Sequence, residues 1–168
     1  LWGCNDLSDF DKQQINKALA DSLLDVTESW GVSMRLMEEE TLKAKIKGSK
    51  ATTYNDSDRK ETLIEGPVHI SVLDSTGMVT TTVKCDRAVY FSTTSSFEFM
   101  GDVRVHTHDD RKMRSVFLKW TRSDNKISTD KFVTIITPTD SLTGTGFKGT
   151  TDLEEYTILS PSGNVTVD

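Results

Sequence analysis

Gly144-Thr145-Gly146-Phe147-Lys148-Gly149 spells the G-x-G-x-x-G pattern of a dinucleotide-binding turn. Its reading decides between two fold classes. In a nucleotide site the pattern follows a strand and opens a long helix whose N-terminus faces the pyrophosphate. Here Thr150-Thr151-Asp152-Leu153-Glu154-Glu155-Tyr156-Thr157-Ile158 follows, which is too short before the next strand for a crossover helix. No βαβ rhythm precedes it. Gly144 and Gly146 therefore read as bends or bulges in a β-strand, where one backbone passes close to another.

The rest of the chain agrees with a strand. From Trp30 onward the apolar period is two: Trp30, Val32, Met34 and Leu36 alternate with polar residues, and Leu42, Ala44 and Ile46 do so again after a turn at Glu38 to Thr41. The same rhythm runs through Val68-x-Ile70-x-Val72, Val79-x-Thr81-x-Val83, Phe97-x-Phe99 and Val103-x-Val105. It continues in Val116-x-Leu118-x-Trp120, Val133-x-Ile135 and Val165-x-Val167. Turn chemistry separates the runs at Asn55-Asp56-Ser57, Ser75-Thr76-Gly77, His108-Asp109-Asp110 and Ser123-Asp124-Asn125. The expectation is an all-β, antiparallel body. A weak repeat, Gly66-Pro67-Val68, Gly101-Asp102-Val103 and Gly163-Asn164-Val165 with a degenerate Asp130-Lys131-Phe132-Val133, recurs at about thirty residues and implies stacked β-units.

Ahead of the β-region, Ser8 to about Leu24 reads as a helix, with Ser8 as its cap, Asp9 and Asp11 at its positive end and Ile15, Leu19 and Leu23 on one stripe. Leu1-Trp2-Gly3-Cys4 resembles a bacterial lipobox, in which the cysteine is acylated; the alternative is an ordinary cysteine at a frayed terminus. The division expected is residues 1–28 as lipobox-like start, tether and helix, and 29–168 as the β-domain. The other cysteine, Cys85, falls in a strand pattern and reads as a small buried hydrophobe.

With 168 residues, 35% of them hydrophobic, the chain suits one domain able to bury roughly 70% of its unfolded surface. No apolar run approaches the roughly 18 residues of a membrane-spanning helix. A net charge of -6, with acidic and basic residues in mixed clusters, shows no basic stripe along the chain, and nucleic acid is not expected as a partner. Glu38-Glu39-Glu40 reads as a solvated turn.

Chemistry is sparse. His106-x-His108-x-Asp110 sets two imidazoles on one face of a strand, but offers too few ligands for a metal site and reads as hairpin surface. Neither G-x-S-x-G nor H-E-x-x-H occurs, so no enzyme, metal or cofactor is expected. What remains is the apolar face of the sheet, which serves either as the closed core of a sandwich or, if the sheets gape, as a trough for acyl chains. The first alternative would make the protein a lipid-anchored β-sandwich that binds carbohydrate or scaffolds other proteins.

From Trp30 to its C-terminus the chain resembles the LptC family of the lipopolysaccharide transport bridge. The resemblance is carried by Ser29-Trp30-Gly31-Val32, by Lys84-Cys85-Asp86-Arg87-Ala88-Val89-Tyr90 followed by Phe99-Met100-Gly101-Asp102-Val103-Arg104-Val105, and by Ile127-Ser128-Thr129-Asp130-Lys131-Phe132-Val133. Its most specific part is Asp140-Ser141-Leu142-Thr143-Gly144-Thr145-Gly146-Phe147 leading to Asp152-Leu153-Glu154-Glu155-Tyr156-Thr157-Ile158. The resemblance implies a twisted, open antiparallel β-jelly-roll, or β-taco, of OstA-like repeats. It further implies a non-enzymatic role on the periplasmic face of the inner membrane of a Gram-negative bacterium. An inner-membrane ABC transporter complex would supply lipopolysaccharide, and the bridge protein LptA or its equivalent would take it onward by edge-to-edge docking. Many family members carry a transmembrane helix where this chain offers Cys4 as a lipid anchor. On that reading the groove is lined by Ile46, Val68, Ile70, Val83, Phe97, Phe99, Val103, Val105, Leu118, Val133, Ile135 and Ile158, while Gly144, Gly146 and Phe147 shape the docking edge.

Overall fold

A computed structural model describes residues 8–14 and 26–162. Nine antiparallel strands follow one another in a single sheet whose spatial order is their sequence order. They are β1 (Val26–Glu38), β2 (Thr41–Asn55), β3 (Lys60–Leu73), β4 (Val79–Phe91), β5 (Ser96–Thr107), β6 (Lys112–Thr121), β7 (Lys126–Ile136), β8 (Ser141–Thr150) and β9 (Tyr156–Ser162). The G-x-G-x-x-G stretch lies inside β8, as the strand reading requires. At the N-terminus, residues 9–14 are helical, and Ser8 Oγ accepts the Asp11 amide at 3.1 Å as a capping side chain should. Ile15, Leu19, Leu23, Cys4 and the expected Val165-Val167 strand lie outside the described residues.

Hairpin geometry follows from turn chemistry. Glu39 and Glu40 both take positive φ, the two-residue turn whose twist suits paired strands. Several longer turns share one form: an amide three residues on returns to the first carbonyl, and that last residue has positive φ. Gly77, Asp110, Asn125 and Leu153 occupy this slot, with bonds to Asp74, Thr107, Arg122 and Thr150. Glycine, aspartate and asparagine tolerate the conformation; leucine does so at a cost.

A line of pairing breaks crosses the sheet at mid-strand. Register shifts fall between Lys47 and Lys50, Glu65 and Val68, Lys84 and Arg87, Met100 and Val103, Ser115 and Lys119, and Thr129 and Phe132. Bulges at the same level of consecutive strands bend the whole sheet, so this line acts as a crease. It also accounts for three of the four members of the internal repeat, the fourth, Gly163-Asn164-Val165, lying outside the described residues. Gly66-Pro67, Gly101-Asp102 and Asp130-Lys131 are the crossings of the crease by β3, β5 and β7, two strands apart each time.

The crease changes which residues point inward. In β6, Met113 and Ser115 are buried before it and Leu118 and Trp120 after it, a shift from odd to even positions. Val116, grouped with Leu118 and Trp120 by sequence alternation, is therefore 63% exposed. Trp30 is also outside, separated from Val32 by Gly31 at φ +62°. It sits opposite Lys50, whose ammonium lies 5.6 Å from its ring centre, and is exposed while Val32 and Met34 pack on the core.

The parity shift makes a direct prediction. Leu118→Ala should lower unfolding free energy by about 2–5 kcal/mol, and Val116→Ala, two residues away, should change it by no more than about 0.5 kcal/mol. Chemical denaturation of the two variants checks the difference.

Candidate functional site

Folding along the crease brings two apolar walls together. On one side Ile46, Ile70, Val83, Val105, Met113 and Ile135 stand directly opposite one another across β2 to β7, forming a branched-aliphatic row interrupted by one methionine. On the other side run Ala51, Ile64, Ala88, Phe99 and Leu118. Beside them lies an aromatic group: Phe97 is 4.7 Å from Tyr90, 5.8 Å from Phe99 and 5.4 Å from Trp120 between ring centres. Both walls belong to one buried cluster. A void of about 10 Å³ between Val72, Thr81, Val83 and Val105 on one wall and Phe99, Leu118, Trp120 and Ile127 on the other shows how closely they meet. That is room for about one water.

The residues expected inward fall into place. Ile46, Val68, Ile70, Val83, Phe97, Phe99, Val103, Val105, Leu118, Val133 and Ile135 are all buried, and Ile158 on β9 is half-buried against the same cluster. Alternation overlooked Met113, Ile64, Ala88 and Leu153 as members of this interior. Cys85 is buried beside them, and burial pushes its thiol up to about 11, so it stays protonated and unreactive.

The residues expected to shape the docking edge lie near the β9 end of the sheet. β9 pairs with β8, so the outermost described strand on this side is β9, and Gly144, Gly146 and Phe147 lie one strand inside it. Phe147 is fully buried and stacks on Tyr156 at 5.8 Å, because the crease shifts parity between Gly144 and Phe147. The two glycines serve close approach within the sheet. A Cβ on Gly144 would stand 2.3 Å from Ile158 Cγ2 and 2.7 Å from the Ser160 carbonyl oxygen. Gly146 has φ +83° and faces Leu159.

Away from the crease, the rims of the two walls meet at a mouth held by one polar latch. The turn between β8 and β9 reaches across it. The Thr81 hydroxyl donates to the Thr151 carbonyl at 3.0 Å, and Arg111 Nη1 donates to the Leu153 carbonyl at 3.0 Å. From the opposite rim, Asn125 Nδ2 donates to Thr151 Oγ1 at 3.2 Å, while Trp120 Nε1 donates to Asn125 Oδ1 at 3.2 Å. Leu153, at φ +57°, drives its side chain into the core with no exposed surface. Burial of the leucine holds a backbone conformation that leucine otherwise avoids. A hollow of about 430 Å³ opens beside the latch, from the charged rim residues Glu38, Lys43, Asp74 and Arg122 down to Val72, Leu73 and Trp120. The sequence carried one signal for this latch: a leucine at the turn slot where glycine, aspartate and asparagine sit elsewhere.

Polar chemistry lies outside the interior. His106 Nε2 is 3.1 Å from Asp110 Oδ1, both exposed, and His108 Nδ1 is 3.3 Å from the Thr80 carbonyl oxygen. Among the described residues no group of three or more His, Cys, Asp or Glu side chains is placed to hold a metal ion. No helix among them is long and apolar enough to cross a membrane. The basic stripe that the linear sequence lacked is assembled across strands: Lys47, His69, Lys84, Arg104 and Arg114 stand side by side on the outer surface of the aliphatic wall.

A single antiparallel sheet creased onto its own apolar face, with a mouth along the side opposite the crease, defines an open β-jelly-roll, or β-taco. The chain matches the family described as lipopolysaccharide-assembly, LptC-related, over residues 4–164, and it belongs to that family. Membership gives it a role in lipopolysaccharide transport. No curated protein matches the chain.

If Gly144 serves the β8–β9 contact, Gly144→Val should loosen β9. Limited proteolysis is expected to cut within Tyr156–Ser162 at least several-fold faster than in the parent, with a lower thermal midpoint. Equal cutting rates would remove the close-approach role.

Proposed function

We propose that this protein is a non-enzymatic carrier that takes the acyl chains of lipopolysaccharide between its two apolar walls and passes them along the crease to the next bridge protein. The observation that carries the reading is the mouth. Two continuous apolar walls meet along a seam whose rims are tied by a few hydrogen bonds through one turn, each worth about 1 kcal/mol net. The hollow floored by Val72, Leu73 and Trp120 offers apolar surface at the point where an incoming chain would arrive.

In this reading an inner-membrane ABC transporter complex delivers the lipid at one end of the sheet. A periplasmic acceptor such as LptA or its equivalent continues the sheet at the other. β9 is the edge available for such strand addition, since its outer backbone groups have no partner strand among the described residues. The domain would work at the periplasmic face of the inner membrane, held there through its N-terminal region, with acylated Cys4 as the anchor. The sugars and phosphates of the lipid would stay in solvent outside the rims.

Site-specific photocrosslinking tests the carrier role. A probe at Phe99 or Val105, in membranes where the transporter is given ATP, is expected to form a lipopolysaccharide adduct; one at Lys119, exposed on the outer surface of the aromatic wall, is expected to form none. A folded protein with no ATP-dependent adduct at either inward position would instead have a closed core.

The latch adds a second expectation. Leu153→Asn keeps a residue tolerant of positive φ, as Asn125 is in the equivalent slot, and removes the apolar plug. The thermal midpoint should fall by roughly 5–10 °C while adduct formation at Val105 rises. A lower midpoint with unchanged adduct yield would assign Leu153 to stability alone.

A further inference from the structure

The outer surfaces of the two walls carry charge in opposite styles. On the aromatic wall, opposites meet: Lys50 lies 3.3 Å from Glu28 and is paired with Glu65, which is paired with Arg87, and Glu98 stands opposite Lys119. On the aliphatic wall, basic side chains face one another, with Lys84, Arg104 and Arg114 as an unbroken row of like charges. Lys47 is opposite His69, His69 opposite Lys84, Lys84 opposite Arg104, and Arg104 opposite Arg114. A second line places Arg35 opposite Lys45, and His106 opposite Lys112. Like charges directly opposite on neighbouring strands destabilise a sheet, so this face bears a cost that its counterpart avoids.

Acidic relief among the described residues comes from two carboxylates. Asp102, at the crease, receives Arg104 Nη2 and Arg114 Nε at 2.8 Å each, and Asp110 lies 3.1 Å from His106 Nε2 and 3.7 Å from Lys112. Lys47 and Lys84 make no ion pair among the described residues. His69 responds to the local field: partial burial first, then the Lys84 and Lys47 charges, hold its pKa below the ordinary value. From β2 to β6 the first row spans about 19 Å at ~4.8 Å per strand. A shallow hollow of about 500 Å³ lies among Lys84, Arg104, His106, Lys112 and Arg114. At its β6–β7 side stand three exposed apolar side chains, Val116, Phe132 and Ile136.

We propose that this outer face docks on a bilayer surface bearing anionic phospholipid headgroups. A broad cationic sheet face suits a plane of phosphates, and exposed apolar side chains beside it suit the boundary between headgroups and acyl chains. The chain as a whole has a net charge of -6 and would be repelled by such a surface, so attraction has to come from the way the fold sorts its charges. Docking would lay the domain on the membrane by the back of its aliphatic wall and leave the mouth and β9 free. The contact uses the outer face alone and is independent of what the interior carries.

The test is co-sedimentation of the full chain with vesicles free of lipopolysaccharide, made of phosphatidylcholine alone or of phosphatidylcholine with phosphatidylglycerol. An N-terminal anchor would act on both vesicles, so the difference between them isolates the charged face. Stronger binding to the phosphatidylglycerol vesicles, lost at about 0.5 M salt, is expected. The Lys47→Ser, Lys84→Ser double variant should weaken that binding by roughly tenfold or more with its thermal midpoint unchanged or raised. Lys50→Ser with Lys119→Ser, on the other wall, should change it by less than about twofold. Equal binding to both vesicles, binding to neither, or equal losses from the two double variants would overturn the proposal.

Discussion

The crease across the sheet is the constraint on which the rest of the molecule depends. Strands of 10 to 15 residues, such as β2 and β6, are long enough to serve two walls only if they bend in the middle. Bulges at one level of successive strands supply that bend and set the side-chain alternation afresh beyond it. One device thus produces the folded shape, the facing apolar walls and the differing outer surfaces. Without it the same sequence would form a flat sheet with a bare apolar face.

Packing and opening pull in opposite directions in such a fold. The walls meet closely enough to leave a void of about 10 Å³, yet their rims are joined chiefly through Thr151 and Leu153. At that turn the burial of Leu153 offsets the cost of its positive φ. The two rims are tied at one turn, and the rest of the seam carries apolar side chains on both walls. That combination suits a protein whose family works in lipopolysaccharide transport.

Much of this interior was legible in the sequence because a strand with one buried face writes that face into every second residue. Eleven of the twelve residues chosen by alternation are buried, and β8 was recognised as a strand from what followed its glycines. Errors cluster at the crease. Val116 and Trp30 were grouped with inward residues and emerge on the surface, while Phe147, grouped with an edge, is interior. At Val116 and Phe147 a bulge nearby shifts the parity, and at Trp30 the backbone turns at Gly31, whose φ is positive; neither leaves much trace in hydrophobic pattern. The glycines at the crease were visible as a weak repeat, but a repeat does not say what its members do.

The sequence by itself determined an all-β chain of hairpins, the inward set within each uninterrupted half-strand, the turn positions and the absence of a nucleotide-binding βαβ unit. These are local properties, fixed by side-chain alternation and by residues that tolerate particular backbone angles. Tertiary structure alone decided which strands stand beside which residue for residue. That register put Lys84 between His69 and Arg104, laid β9 over Gly144, and carried Leu153 across to Arg111. Such neighbours lie between about ten and seventy residues apart along the chain, and cross-strand register depends on the accumulated bulges and turns between them.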